Sequence, residues 1–212
     1  MKPAFDLSLY LVLDPGLCAG IGMVDIARRA VAGGATMVQL RDKTGGTAAM
    51  IETGRALKSE LAGSGARLIV NDDVEAAVAI GADGLHVGQG DMAVAEARVR
   101  IGNAMLLGLS VESPPLAAAV EPHLVDYIGA GPVFATPIRQ DHKRPVGFDR
   151  LAAQVAASPV PAVAIGGLKR QHVAPAFAAG AQGIAVVSAI CGQPDPEKAA
   201  RRLRCATGGA RS

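Results

Sequence analysis

The 212-residue sequence predicts one α/β domain, and the architecture it favours is a closed (β/α)8 barrel, or TIM barrel. Short β-rich runs alternate with alanine-rich stretches of helical pattern from one end of the chain to the other. Eight strand-like runs can be counted, and half of the residues are apolar, which is enough for one full core. An open, doubly wound sheet is the alternative that the same alternation allows.

The strand predictions are mostly apolar runs bounded by turn-forming residues. In chain order they are Leu9 to Leu13, Thr36 to Leu40, Arg67 to Val70, Gly84 to Val87, Met105 to Leu109, Leu124 to Ile128, Val160 to Ile165 and Gly183 to Val187. The helix predictions generally have Gly or Pro near one boundary. They are Met23 to Ala32, Thr47 to Ala62, Val74 to Ile80, Ala93 to Ile101, Pro114 to Val120, Arg170 to Ala179 and Pro196 to Leu203. Strands that alternate with helices in this way indicate a parallel sheet.

The composition argues against several classes of function. Lys plus Arg exceed Asp plus Glu by 21 − 19 = +2, and aromatic residues make up 3%, so neither a nucleic-acid surface nor a membrane surface is expected. The three cysteines are odd in number and widely spaced, which indicates free thiols rather than a disulfide framework. The apolar stretch Leu7 to Leu13 is too short for a signal-peptide core or a membrane span, and we expect a cytoplasmic protein.

One barrel domain is expected over residues 1–212, with a polar tail that frays from about Thr207. The longest predicted connection runs from Gly131 to Phe148, after the sixth strand, and is rich in proline and charge. A loop of that length in a compact domain is usually a lid or a binding loop, so it is a candidate part of a functional site.

Two neighbouring predicted strands lead into acids. Asp72 follows the third strand and Asp91 follows the fourth. Because adjacent parallel strands lie about 5 Å apart, these carboxylates are expected to meet at one end of the sheet. Mg²⁺ binds through one or two carboxylates and completes its shell with water and substrate phosphate oxygens. The pair therefore predicts a Mg²⁺ site for phosphate chemistry, whereas Asp73 is interpreted as a helix N-cap.

Other strand ends carry groups suited to anions. Gln39, Arg41 and Lys43 alternate along an extended segment, so the two cations can bind diphosphate together; a solvated basic turn is the alternative. His86 is either a satisfied core histidine or a member of the site, and Ser110 follows the fifth strand. The carboxyl ends of barrel strands form one face, and their convergence predicts the active site there.

A second anion site is predicted beyond the last two strands. Gly166 and Gly167 follow the seventh strand and Ser188 follows the eighth, where many barrels hold a phosphate with backbone N–H groups. Two phosphate sites and a metal on one face indicate a reaction that joins or rearranges phosphorylated small molecules. No Ser-His-Asp or Cys-His pattern in the sequence competes with this interpretation.

Taken in order, the motifs resemble those of the thiamine phosphate synthase family over nearly the whole chain. The segments that carry the resemblance are Val38 to Lys43, Val70 to Asp73, Asp83 to Asp91, Gly108 to Ser110, Tyr127 to Pro137 and Ile165 to Gly167. The resemblance implies a (β/α)8 barrel and a Mg²⁺-dependent transferase of thiamine biosynthesis. Its substrates would be an aminopyrimidine methyl diphosphate and a thiazole phosphate, and its products thiamine phosphate and pyrophosphate.

The resemblance also implies roles for individual residues. Asp72 and Asp91 would bind Mg²⁺. The substrate-binding residues would be Gln39, Leu40, Arg41, Asp42, Lys43, Asn71, His86, Ser110, Thr136, Pro137, Ile138, Arg139, Gly167, Val187 and Ser188. The catalytic members of that set would be Arg41, Lys43, Ser110 and Arg139. The pyrimidine diphosphate would lie near Ser110 and the thiazole phosphate near Gly167 and Ser188.

Three positions depart from the usual family pattern. Arg139 stands where lysine is common, Ile138 where a hydroxyl residue is common, and Glu112 where histidine is common. Two alternatives therefore stay open: an isomerase resembling thiazole tautomerase, and a non-catalytic barrel that binds thiamine precursors. A generic phosphosugar enzyme is a third, because a fold alone does not determine a function. The sequence also leaves open whether the chain forms a homo-oligomer.

Overall fold

The strands form a closed parallel barrel. The computed structural model describes residues 2–135 and 145–210, and eight strands in this part pair in chain order, with the last strand closing on the first. They are β1 (Leu9–Leu13), β2 (Met37–Leu40), β3 (Arg67–Asn71), β4 (Gly84–Val87), β5 (Leu106–Val111), β6 (Tyr127–Ala130), β7 (Ala162–Ile165) and β8 (Gly183–Val186). The barrel prediction is confirmed, and the open sheet is excluded by the pairing of β1 with β8.

Helices connect the strands and cover the barrel. Those in the described residues are α1 (Pro15–Cys18), α2 (Met23–Ala32), α3 (Gly46–Glu60), α4 (Val74–Ile80), α5 (Val94–Ile101), α6 (Pro114–Ala118), α7 (Gly147–Ala157), α8 (Val173–Ala178) and α9 (Pro196–Ala210). A 3₁₀ turn, Arg170–His172, precedes α8. Neither α1 nor α7 is among the predicted helices. Helix α1 is a single turn, and α7 begins without a side-chain cap, so the usual start signal is missing.

Two predicted boundaries differ from the structure by three residues or more. The run Leu124 to Ile128 begins too early, because the Leu124 carbonyl accepts hydrogen bonds from Arg98 and the strand starts at Tyr127. The tail expected to fray from about Thr207 is helical as far as Ala210. Thr207 is fully buried, and its hydroxyl donates to the Arg204 carbonyl at 2.8 Å. Packing of α9 on the neighbouring elements thus extends the helix beyond its predicted end.

Alternation along the strands sorts side chains between the barrel interior and the helical layer. Inward-facing members of the interior cluster are Tyr10, Val12, Met37, Ile69, Leu106, Tyr127, Val163 and Ala185. Leu9, Leu11, Leu13, Leu40, Val70, Leu85 and Ile128 belong to the larger cluster beneath the helices. The same alternation turns Gln39 toward the interior and its neighbour Leu40 away from it.

In the described part of the chain, no helix combines the length and the apolar character needed to cross a membrane.

Candidate active site

A cavity opens at the carboxyl end of the barrel. Predicted site residues that line it are Gln39, Arg41, Asn71, His86, Ser110, Gly167, Val187 and Ser188. They come from strands all around the barrel, or from the turns that follow them. The structure therefore brings together in one place residues that the sequence separates by up to about two thirds of the chain.

Other predicted site residues lie elsewhere. Thr136, Pro137, Ile138 and Arg139 lie outside the described residues. Leu40 is fully buried and faces Gly54 of α3, so its side chain does not reach the cavity. This placement follows from the alternation that turns Gln39 inward, so any contact of Leu40 with substrate would have to come from its backbone.

Asp42 shapes the turn after β2. Its carboxylate accepts hydrogen bonds from the backbone N–H groups of Thr44 and Gly45, at 2.8 and 2.9 Å, and from the Thr44 hydroxyl. The Thr44 N–H, followed in effect by that of Gly45, lowers the pKa of Asp42 against the effect of burial. The carboxylate orders the segment that carries Arg41 and Lys43, and it is not among the residues that line the cavity.

Asp72 and Asp91 lie in contact, as the strand order predicted, and Asp72 directly follows Asn71, which lines the cavity. Neither acid is among the lining residues, nor is Lys43, so we place all three at the rim of the cavity. Their side chains share a hydrogen bond, and the Lys43 ammonium contacts Asp72. Asp91 also accepts a hydrogen bond from the Gly88 N–H at 2.7 Å. Asp72 has a φ of 62°, a left-handed conformation that costs a non-glycine residue about 1 kcal/mol or more. Asp73 caps α4 by accepting from the Ala76 N–H at 2.8 Å, which confirms that prediction.

The contact between the two acids shifts their pKa values in opposite directions. Burial, followed by the hydrogen bond with Asp91, raises the pKa of Asp72 above its ordinary value. Burial acts to raise the pKa of Asp91 too, but its hydrogen bonds with Asp72 and the Gly88 N–H outweigh burial and lower that pKa. When the pair holds one proton, Asp72 therefore carries it and donates it to Asp91.

This donor set suits a hard divalent cation. The described residues contain no cluster of three or more His, Cys, Asp or Glu side chains arranged to hold a metal by themselves. Two carboxylates in contact, beside an open cavity, fit Mg²⁺, which takes one or two carboxylates and fills its shell with water and phosphate oxygens. Two carboxylates in contact repel each other, and Lys43 offsets part of their charge. A divalent cation would offset the rest.

A chain of hydrogen bonds crosses the floor of the cavity. The Gln39 amide donates to the Tyr10 hydroxyl at 2.8 Å, and the hydroxyls of Tyr10 and Tyr127 are 3.0 Å apart. His86 continues the chain, with Nδ1 3.2 Å from the Tyr127 hydroxyl and Nε2 2.9 Å from Ser110 Oγ. His86 is thus buried and hydrogen-bonded, as in the core interpretation, and it also lines the cavity.

Two glycines make room for this chain. A Cβ at Gly108 would lie 2.3 Å from the Tyr127 ring and 2.4 Å from His86 Nδ1, and one at Gly129 would lie 3.3 Å from His86 Cε1. Burial first of all raises the pKa of both Tyr10 and Tyr127, so the phenols stay neutral at physiological pH. The floor is therefore an uncharged set of donors and acceptors held in fixed positions.

The opposite wall is built from backbone. Gly166 and Gly167 have φ values of 105° and 64°, and a Cβ at Gly166 would lie 2.6 Å from Pro132 Cα. The Phe134 N–H donates to the Gly166 carbonyl at 3.0 Å, which joins this turn to the segment after β6. Val187 and Ser188 face it from the end of β8. The wall offers backbone groups and a hydroxyl, as the phosphate prediction requires.

Sequence reasoning missed several members of the site. Tyr10 lines the cavity and Tyr127 supports its floor, although each looked like part of an apolar run. Asp14, directly after β1, also lines the cavity and lies 4.0 Å from Arg41. Alternate positions of a strand face the barrel interior. Applying this alternation to every predicted strand would have placed Tyr10 and Tyr127 inside the barrel, as Gln39 and His86 are. Glu112, singled out as a departure, is partly exposed and is not among the lining residues.

Comparison with known proteins identifies the family. A family model described as thiamine monophosphate synthase matches residues 9–190. The chain belongs to the thiamine monophosphate synthase family. The predicted family is thereby confirmed, together with the enzyme class, a transferase.

Individual members of this family are similar over their whole length. The thiamine-phosphate synthase of Xanthobacter autotrophicus is 48% identical, and the match covers 100% of both chains. That of Solidesulfovibrio magneticus is 51% identical over 96% of this chain and 97% of its own. The solved thiamine phosphate pyrophosphorylase from Pyrococcus furiosus has a TM-score of 0.89 and 34% identity, covering 97% of this chain and 98% of that chain.

Proposed function

We propose that the chain condenses an aminopyrimidine methyl diphosphate with a thiazole phosphate, giving thiamine phosphate and pyrophosphate. The observation that carries the proposal is the contact between Asp72 and Asp91, with Lys43 beside them at the rim of the cavity. Family membership supports the overall reaction. The contacts in the cavity support a role for each of its parts.

The rim provides the groups that a diphosphate needs. Arg41 and Asn71 line the cavity close to the two acids, and Lys43 extends from the same turn as Arg41. An arginine can bind two phosphate oxygens at once and a lysine acts as a point charge, so together they would hold and orient the diphosphate. Mg²⁺ bound by Asp72 and Asp91 would supply further positive charge to stabilise pyrophosphate as it leaves.

The floor suits an aminopyrimidine. Gln39 carries both an amide donor and an amide acceptor, and its donor is oriented by Tyr10. Ser110 is held by His86, and a Ser110 hydroxyl beside the ring could donate to a diphosphate oxygen. Because the tyrosines are neutral and buried, the floor would orient the ring without adding a negative charge that could capture the cation.

The remaining wall suits a thiazole phosphate. Gly166, Gly167 and Ser188 would bind the phosphate through backbone N–H groups and the hydroxyl, while Val187 and Ile165 give an apolar surface for the ring. This wall lies on the β7–β8 side of the barrel, opposite β3 and β4, the strands that lead into Asp72 and Asp91. The thiazole nitrogen would then approach the pyrimidine methylene from the side opposite to the leaving diphosphate.

The proposed reaction separates a cationic pyrimidine methylene from an anionic diphosphate, and the protein has to stabilise these charges. The C–O bond to the diphosphate breaks, the pyrimidine stabilises the resulting methyl cation, and the thiazole nitrogen attacks that carbon. Arg41 and Lys43 would stabilise the negative charge that develops on the leaving group. The nitrogen attacks through its lone pair, so the bond-forming step requires no general base. Tautomerase chemistry, in contrast, gives no reason to bring Asp72 and Asp91 into contact.

Incubation of purified protein with Mg²⁺ and both precursors tests the proposal. We expect release of pyrophosphate together with thiamine phosphate, each measured by chromatography. Asp91→Asn removes a carboxylate from the rim and should lower kcat by about 100-fold or more. Glu121→Gln, an exposed change at the opposite end of the barrel, is the matched control and should leave kcat unchanged.

Two results would contradict the proposal. One is an unmodified protein that binds both precursors and forms no product. The other is conversion of the thiazole phosphate to an isomer without consumption of the pyrimidine diphosphate, which would support the tautomerase alternative. Full activity in Asp91→Asn would show that the Asp91 carboxylate is not needed for catalysis, and the observation that carries the proposal would no longer support it.

A further inference from the structure

Two cysteines far apart in sequence meet in the fold. Cys18 and Cys191 are separated by 173 positions, and their sulfur atoms are 3.5 Å apart in a shared hydrogen bond. Both are free thiols, and each is 1% exposed. A disulfide bond is about 2.05 Å long, so closure would require the two sulfurs to approach by roughly 1.5 Å. That is within the range of a side-chain and loop adjustment.

The two thiols join loops on the active-site face. Cys18 ends α1, the single turn after β1, and its N–H donates to the Asp14 carbonyl at 2.9 Å. Cys191 lies just after β8, and its N–H donates to the Val187 carbonyl at 2.8 Å. Asp14 and Val187 both line the cavity. A bond between the sulfurs would therefore tie together two loops that carry cavity residues.

Both thiols are buried, so oxidation requires a local opening of the loops that carry them. Leu17 and Ala19, on either side of Cys18, are exposed, and so is Gly192 after Cys191. Helix α1 has only four residues, and short, poorly buried turns open locally at little cost in free energy. The thiols therefore belong to the core, but their neighbours in the chain are exposed and a local opening of α1 would uncover them.

The environment also makes the two thiols unequal. The hydrogen bond with Cys191 lowers the pKa of the Cys18 thiol, against the opposing effect of burial. The same contact, followed by burial, raises the pKa of Cys191. Because the thiolate is the reactive form, Cys18 would attack first and Cys191 would act as the resolving thiol.

We propose that Cys18 and Cys191 form a dithiol site that hydroperoxides oxidise to an intramolecular disulfide. The Cys18 thiolate attacks one peroxide oxygen and the O–O bond breaks, which gives a sulfenic acid and hydroxide. The Cys191 sulfur then attacks the Cys18 sulfur and displaces the hydroxyl group. The two thiol protons end up in water, so two thiols and one hydrogen peroxide give one disulfide and two waters. A dithiol reductant reverses the reaction by exchange.

The test uses Cys205→Ser as its background, because Cys205 is exposed and could link two molecules. The folded variant is treated with hydrogen peroxide, quenched, unfolded and alkylated. We expect a mass two hydrogen atoms lower with no alkylation, a proteolytic peptide that joins Cys18 to Cys191, and full reversal by dithiothreitol. Closing so long a loop should also raise Tm, by about 3 °C or more.

Cys18→Ser and Cys191→Ser in the same background are the matched controls and should gain neither the linked peptide nor the rise in Tm. Two alkylated thiols after treatment of the folded protein would overturn the proposal. So would a linkage between molecules, or a fall in Tm on oxidation. None of these measurements involves a substrate, so they stand apart from the proposed enzymatic reaction.

Discussion

The two ends of the barrel carry charged clusters of opposite balance. At the amino end, Asp126 pairs with Lys2 at 2.7 Å and with Arg98 at 2.8 Å; we call these three residues the basal cluster. At the carboxyl end, Asp72 and Asp91 share Lys43; we call these three residues the rim cluster. The basal cluster therefore contains one acidic and two basic side chains, whereas the rim cluster contains two acidic side chains and one basic one.

The clusters also differ in how fully their groups are hydrogen-bonded. The Arg98 guanidinium, 5% exposed, donates to the carbonyls of Leu124, Gly102 and Met105 as well as to Asp126, which also accepts the Leu107 N–H at 2.8 Å. In the rim cluster, Asp72 has a left-handed backbone, and burial and then the contact with Asp91 raise its pKa. Satisfied charges at one end hold the barrel together, while unsatisfied charges at the other are ready for a ligand.

The largest effect is expected from breaking the basal cluster. Arg98→Met removes the guanidinium and leaves buried carbonyls and part of Asp126 without partners, which should cost roughly 3–5 kcal/mol of unfolding free energy. Tm should fall by about 10 °C. Arg100→Met, on the exposed side of the same helix, is the control and should change Tm by less than about 2 °C. Equal losses in the two variants would contradict a structural role for the basal cluster.

The sequence was sufficient to predict the barrel and the meeting of Asp72 with Asp91, because both follow from short-range patterns, whereas the contact of Lys43 with Asp72 was not predicted. Asp72 and Asp91 each follow a β-rich run, and parallel strand order then brings them together. Contacts made by closure of the barrel were not predicted. Tyr10 meets Tyr127 across the interior, and no local pattern specifies that pair.

Arg98 shows the same limit from the other end of the barrel. In the sequence it is one of several charged residues on an amphipathic helix, and such residues are usually solvated. Its burial depends on Leu124 and Asp126, which belong to the next βα unit. The left-handed backbone of Asp72 is likewise set by its tertiary surroundings.

A smaller effect, of opposite sign, is expected in the rim cluster. Asp72→Asn removes a carboxylate whose pKa is raised by burial and then by Asp91, and asparagine tolerates the left-handed conformation equally well. At pH 7 and without divalent cations, the variant should be more stable than the unmodified protein. Thermal unfolding at several pH values measures the difference.

The sign follows from the raised pKa. Protonated Asp72 stabilises the fold fully below its ordinary pKa of 3.8, and this contribution is lost as pH rises through the higher folded value. The neutral asparagine keeps it, so the gain in Tm should vanish near pH 3 and grow toward neutrality. A variant that is less stable than the unmodified protein at pH 7, or whose Tm differs by the same amount at every pH, would contradict the claim that the Asp72 carboxylate destabilises the fold at neutral pH.

The smallest effect is expected from removing one lysine at each end. Lys43 is 52% exposed and Lys2 is 32% exposed, so solvent screens both ion pairs, and Lys43→Met or Lys2→Met should each cost only a few tenths of a kcal/mol.

The two lysine variants should differ in how Mg²⁺ changes their Tm. Without Lys43 the rim acids have a greater need for a cation, so added Mg²⁺ should raise the Tm of Lys43→Met more than that of the unmodified protein. Lys2→Met leaves Arg98 on Asp126 and should respond to Mg²⁺ as the unmodified protein does. Thermal scans with and without MgCl₂ decide the point, and a weaker Mg²⁺ response in Lys43→Met would show that the lysine supports the cation site rather than competing for it.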